Sequence, residues 1–194
     1  ERYVDIVEVG GSTPSSPTLF MKNIDITFPD MSVKNFPVGT TAQEVADSIG
    51  PSLGKAVVVA KINGDLKDLN YKIQKNSTIE LFTGDTPEGH DTLLHSTAHL
   101  MAQAVKELYP SAKFTIGPTI QNGFYYDFDL DTSFSDDSLI KIEEKMKELS
   151  RKNQEIVRHE ISAVEALKIF EDMGESYKVD IIGQIDPEDT ISLY

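Results

Sequence analysis

Cysteine is absent from this 194-residue sequence. That excludes disulfides and thiolate chemistry within the chain. Long apolar runs are absent too, and none reaches the ~18 residues that a membrane-spanning helix needs. The opening stretch, ERYVDIVEVGG, lacks the basic segment and long apolar core of a signal peptide. A cytoplasmic protein without a membrane partner is the expectation. Basic residues are scarce: 18 Lys and Arg face 32 Asp and Glu, a net charge of −14. The deficit is uneven. Residues 21–90 hold 7 basic and 9 acidic side chains, whereas residues 91–194 hold 10 basic and 20 acidic. Tight, non-specific nucleic-acid binding is excluded on bulk charge, so any RNA contact must be local or shared with another domain. With 39% hydrophobic and 26% charged residues, the chain has enough apolar mass for a core. Its length suits one large domain or two small ones.

Residues 10–17, GGSTPSSP, read as a linker. They mark residues 1–20 as an N-terminal extension or tag ahead of a natural start at Met21. Ile24, Ile26 and Phe28 then alternate with polar residues, as in a half-buried strand, and Val33 and Phe36 complete a hairpin over 21–37. Thr40 or Thr41 caps a short helix whose Val45, Ala46 and Ile49 face inward and which ends at Gly50-Pro51. AVVVAKING (56–64) is a buried strand closed by an Asn-Gly turn, and STIELFT (77–83) is another. This order predicts a small mixed sheet wrapped on one helix, a ubiquitin-like β-grasp over 21–83.

GDTPEGHD (84–91) reads as the boundary between domains. After it, Leu94, Ala98, Met101, Val105 and Leu108 give a helix of about 18 residues stopped by Pro110. KFTIGP (113–118) and GFYYDFDLD (123–131) read as strands. The second places Phe124, Tyr126, Phe128 and Leu130 on one face and Tyr125, Asp127, Asp129 and Asp131 on the other. Leu139, Ile142, Met146 and Leu149 form a second helix. EIVRHEI (155–161) is a strand, SAVE (162–165) is a capping box opening a helix that ends near Gly174, and DTISLY at the end is strand-like. Residues 92–194 are thus an α+β domain, expected to be incomplete.

Two apparent motifs fail on their chemistry. GPSLGKA (50–56) is one residue short between its glycines and has Ala56 where a phosphate loop needs a hydroxyl for magnesium. DFDLDTSFSDDS (127–138) has carboxylates at calcium-loop positions 1, 3 and 5, but Thr132 and Ser138 replace the required Gly and Glu. HSTAH (95–99) is stronger. It puts His95 and His99 on one helix face beside the apolar stripe, where a helix borders a cleft. Two surface imidazoles are the commoner outcome of such spacing. A zinc site would need further ligands; His90 and His159 lack supporting spacing, and there is no cysteine. Taken alone, Lys178 is a solvated charge and Tyr126 a core residue with its hydroxyl turned outward.

HSTAHLMAQAVKELYP, then IGPTIQNGFYYDFD, then GESYKVDII, in this order and spacing, resemble the N-terminal editing domain of bacterial-type threonyl-tRNA synthetases. Residues 21–83 resemble the TGS domain that precedes it there. The resemblance implies an α+β fold and a proofreading region that hydrolyses serine mischarged on threonine tRNA. It implies that the pocket uses His95, His99, Tyr126 and Lys178, together with an Asp-x-Cys and His segment that this sequence does not contain. It further implies a class II enzyme that attaches threonine with ATP, magnesium and zinc in a separate catalytic domain, a homodimer through that domain, and no cofactor here. A fragment with these parts is expected to edit weakly at best. Two other readings remain open at this stage: a zinc-dependent deacylase of the alanyl type, and a non-catalytic TGS-type interaction module.

Overall fold

The computed structural model describes residues 22–121, 123–131, 133–154 and 156–193. The reading of residues 1–20 as an extension lies outside them. The first lobe is a five-stranded mixed sheet. β1 (Asn23–Thr27) and β2 (Val33–Pro37) form the expected hairpin, with Ile24 opposite Phe36. α1 (Ala42–Ile49) follows, capped by Thr41 in a full capping box with Glu44. α2 (Pro51–Ala56) takes up the sequence GPSLGKA as a short helix with proline in its first turn. β3 (Val57–Ile62) turns at Asn63 and Gly64, whose φ values of 53° and 93° suit a type I′ turn, into β4 (Asp65–Lys67). β5 (Ser77–Thr83) runs between β3 and β1, giving the order β2-β1-β5-β3-β4, with β1 and β5 parallel. Ile24, Ile26, Val45, Ala60, Ile62, Ile73 and Ile79 are buried between this sheet and α1. The lobe is the β-grasp that the alternation predicts.

α3 (Pro87–Leu108) is longer than expected. It begins inside the stretch 84–91 that reads as a linker. The reason is local: the Thr86 hydroxyl accepts from the Gly89 amide at 3.2 Å, Pro87 opens the first turn, and Glu88 adds an acid there. The same residues that signal a loop also start a helix. This first turn docks on the sheet. Glu88 pairs with Lys61 of β3 at 3.7 Å, and Gly89 lies under the end of β5. A Cβ on Gly89 would sit 2.0 Å from the Thr83 carbonyl oxygen. Gly89→Ala should therefore destabilise the chain by about 1–3 kcal/mol, as overpacking against backbone does. A urea midpoint unchanged from the parent would show that the helix start yields without cost.

The second lobe is built on α3. β6 (Lys113–Phe114) and β9 (Phe128–Asp129) pair antiparallel, as do β7 (Thr119–Ile120) and β8 (Gly123–Phe124) between them. The two strands expected over 113–118 and 123–131 are thus each interrupted. Pro118 supplies no N–H, and Gly117 is pressed against the Tyr126 ring, where a Cβ would lie 2.1 Å from Cδ2. Backbone bonds still cross the gap, from the Asp127 amide to the Ile116 carbonyl at 3.1 Å and from the Thr115 amide to the Asp127 carbonyl at 3.2 Å. Tyr126, Phe128 and Leu130 turn inward with Phe114 against α3 and α4 (Asp136–Arg151), beside Val105, Ile142 and Leu149. That is the face the alternation assigns to those three; Phe124, expected with them, lies in β8 outside this cluster.

A small layer follows. β10 (His159–Ser162) pairs with β11 (Thr190–Leu193), and Ser162 and Glu165 form the predicted capping box of α5 (Ala163–Asp172). The strand expected from residue 155 is described from His159, which pairs with Leu193. α6 (Ser176–Ile182) is a helix that no sequence signal announces. The class is α+β, as the element order implies. No helix among the described residues is long and apolar enough to cross a membrane.

Candidate functional site

The four-residue spacing on α3 brings the two imidazoles into contact. Their Nε2 atoms are 3.0 Å apart and the rings meet edge to face, with centroids 4.7 Å apart. One Nε2 must donate and the other accept. Two imidazolium rings cannot share such a bond, so at least one histidine is neutral. In the doubly neutral pair, the donor ring keeps a bare Nδ1, and the acceptor ring carries its proton on Nδ1. The site therefore offers a proton acceptor and a proton donor side by side.

α6 contributes Lys178, which the bare sequence reads as a solvated charge. Its ammonium is half-buried and donates to the Thr115 carbonyl at 2.9 Å, just past β6. Tyr177 secures the same helix through a hydroxyl bond to the Asp129 carboxylate at 3.0 Å. Tyr126 is stacked on Phe128, with ring centroids 5.0 Å apart, and meets Phe114 edge to face. Glu175, immediately before α6, is buried and bonded to Lys106 of α3 at 2.6 Å.

Charge links these groups in sequence. His99 is held below the ordinary histidine value by burial first, then by His95 and by the Lys178 charge. Burial lowers Lys178, and the Glu175 carboxylate opposes that. Tyr126 is raised by burial and then by Glu175. His95 and His99 are thus in contact, the Lys178 charge acts on His99, and the Glu175 charge acts on both Lys178 and Tyr126. At neutral pH His99 is an unprotonated imidazole near a cation.

That lowering has a signed consequence for stability. The unfolded chain takes up the proton at the ordinary value of 6.5, before the folded chain does. The contribution of this site is fully present above pH 6.5 and is lost as the pH falls through the lowered folded value. Urea midpoints should decline between about pH 7.5 and about pH 5, and decline less in His99→Gln. An equal decline in both would place the titrating group elsewhere.

Two surface hollows lie away from the histidines. One, of about 590 Å³, is lined by Tyr126, Asp127, Phe128, Leu130, Ser133 and Phe134. The other, of about 430 Å³, lies between α3 and α4. Neither pairs a base with a cation in the way the histidine site does. Among the described residues no group of three or more His, Asp or Glu side chains is placed to hold a metal. His95 and His99 alone leave a zinc ion short of its ligands, so the donor set does not fit the zinc-deacylase reading. Sequence reasoning missed Glu175 and Lys106 entirely. A lone Glu after a glycine and a Lys in the last turn of a helix carry no signal of their partnership.

The TGS domain family matches residues 24–83. Relatives match along most of the chain. The threonine–tRNA ligase of Geobacillus sp. (strain WCH70) is 47% identical over 171 residues, 88% of this chain and 27% of its own length. That of Citrifermentans bemidjiense is 46% identical over 174 residues, 90% of this chain and 27% of its own length. That of Cupriavidus pinatubonensis is 47% identical over 171 residues, again 88% and 27%. The chain spans about a quarter of the length of these relatives. Its first lobe is a TGS domain, and the chain is a homologue of the N-terminal region of the threonine–tRNA ligases.

Proposed function

We propose that this chain serves a threonine–tRNA ligase as its proofreading region, removing serine esterified to threonine tRNA. The observation that carries this reading is the histidine pair, 3.0 Å between Nε2 atoms, with His99 held below the ordinary histidine value and acted on by the charge of the half-buried Lys178 ammonium. The need for such a site is physical. Serine lacks one methyl group of threonine, and a methyl-sized contact discriminates by only about 1–3 kcal/mol, or about 10–200-fold. A second site that admits serine and hydrolyses its ester makes up the difference.

The chemistry follows from the groups present. Water attacks the ester carbonyl carbon and gives its proton to the bare histidine nitrogen. The Lys178 ammonium stabilises the oxyanion that forms. The ester C–O bond breaks, and the imidazolium returns the proton to the departing ribose oxygen. Free serine and intact tRNA remain.

The rest of the synthetase holds the tRNA, attaches threonine with ATP in its catalytic domain, and pairs two copies of the enzyme in the cytoplasm. The surface of this chain supports that division. The basic cluster on α4 is largely neutralised: Lys145 pairs with Glu107 at 3.1 Å and Glu148 at 3.0 Å, Lys152 pairs with Glu148 at 3.0 Å, and Lys147 pairs with Glu143. Few phosphate contacts are left, and the catalytic and anticodon domains would supply them. With the chain in large excess over seryl-tRNA, slow release of serine above the spontaneous rate is expected, with threonyl-tRNA left intact. Equal release of both amino acids, or of neither, would contradict the reading.

A further inference from the structure

The buried polar residues among those described are Thr40, Ser77 and Glu175, and only Glu175 is ionisable. Its carboxylate is held from two sides. Oε1 accepts from Lys106 Nζ at 2.6 Å, and Oε2 accepts from the Phe114 amide at 3.5 Å. Lys106 also donates to the Ala112 carbonyl at 3.0 Å and stands over the Phe114 ring, 5.2 Å from its centroid. One ion pair therefore joins α3, β6 and the start of α6. Lys178 leaves α6 one turn later and reaches Thr115, beside β6. An apolar pair of similar size would close this junction with less loss of hydration. A buried charge here asks for another role.

We propose that Glu175, clamped by Lys106, is a positioning residue of the hydrolytic site, fixing the start of α6 so that the Lys178 ammonium is held at the Thr115 carbonyl. The inference rests on reading that site as an ester hydrolase. The charges agree with the geometry, since Glu175 favours the cationic form of Lys178 against burial, and Lys178 in turn helps keep His99 neutral. The titratable and charged groups on this face are His95, His99 and Lys106 on α3, Tyr126 on the hairpin, Asp129 through Tyr177, and Glu175 with Lys178.

Glu175→Gln keeps the size and the acceptor for the Phe114 amide while removing the charge. The readouts are NMR titrations of the Lys178 ammonium and the His99 ring, and the pH profile of serine release. In the variant the Lys178 midpoint should move to lower pH, and the His99 midpoint should not rise, since loss of a nearby carboxylate cannot favour its imidazolium. The upper limb of the release profile should move down with Lys178. Glu175→Asp, which keeps the charge, should restore most of the Lys178 midpoint. If Glu175→Gln fails to fold, the neutral double variant Lys106→Met/Glu175→Gln should show the same fall for Lys178. A natively folded variant of either kind with the Lys178 midpoint unchanged would overturn the proposal. These titrations need no tRNA. If the Lys178 midpoint moves while the parent chain releases no serine, the placement stands and the hydrolytic reading falls.

Discussion

His99→Ala should bring serine release from tRNA down to the spontaneous rate, since a positioned general base supplies about 10²–10⁴-fold. The size of the effect follows from the pairing. His99 is one half of a 3.0 Å imidazole bond, and burial holds it below the ordinary histidine value. Alanine removes its ring nitrogens and leaves His95 without the partner that orients it. Both rings keep exposed surface on α3, His99 being only partly shielded from solvent, so the substitution opens no core cavity and the fold should survive. Circular dichroism and a urea midpoint close to the parent would confirm that. A natively folded His99→Ala chain that releases serine at the parent rate would remove the histidine pair from the chemistry.

Ile26→Ala should cost about 2–5 kcal/mol, the range for truncating a buried isoleucine. Ile26 is fully buried at the middle of the sheet, in the cluster with Val45, Ile62 and Ile79. Three carbons would be lost from a core that has little freedom to collapse around them, since β1 is hydrogen-bonded on both sides, to β2 and to β5. A lobe of this size has total stability on the order of 5–15 kcal/mol, so the loss is a large share of it. Chemical denaturation followed by far-UV circular dichroism measures it. The His99 titration should not move, because the histidines lie in the other lobe. A loss under about 1 kcal/mol would mean that the sheet repacks, and that the buried cluster is not what holds this lobe.

Local signals proved legible wherever they were self-contained. The capping box at Ser162, a threonine cap on α1 (Thr41 of the two offered), the alternation of β1 and the apolar run of β3 are complete in a few adjacent residues, and all form as read. Errors fall where one residue serves two roles or where the partner is distant. Pro87 and Gly89 read as linker residues, yet proline suits the first turn of a helix and Gly89 is needed under Thr83. The strand breaks at Gly117 and Pro118 depend on the Tyr126 ring, nine residues beyond Gly117. α6 has only seven residues, too few to announce themselves by periodicity. It is held by contacts from Lys178 to Thr115 and from Tyr177 to Asp129. At the site, spacing alone indicated that His95 and His99 were neighbours. Lys178 and Tyr126 came from the family resemblance, because nothing in SYK or FYYD by itself distinguishes a functional side chain from a structural one. Glu175 was illegible, since its meaning comes from Lys106, 69 positions earlier.

The central claim is that the histidine pair and Lys178 form one site that accepts the seryl end of a tRNA and refuses the threonyl end. Titration with non-hydrolysable 3′-amide analogues of seryl-adenosine and threonyl-adenosine tests it without depending on tRNA docking. The account predicts that the seryl analogue shifts the ring signals of His95 and His99 and the ammonium signal of Lys178. It also predicts that the threonyl analogue binds more weakly by about 10–200-fold, the scale of one misplaced methyl group. Equal affinity for the two analogues, or shifts confined to residues away from α3 and α6, would contradict it.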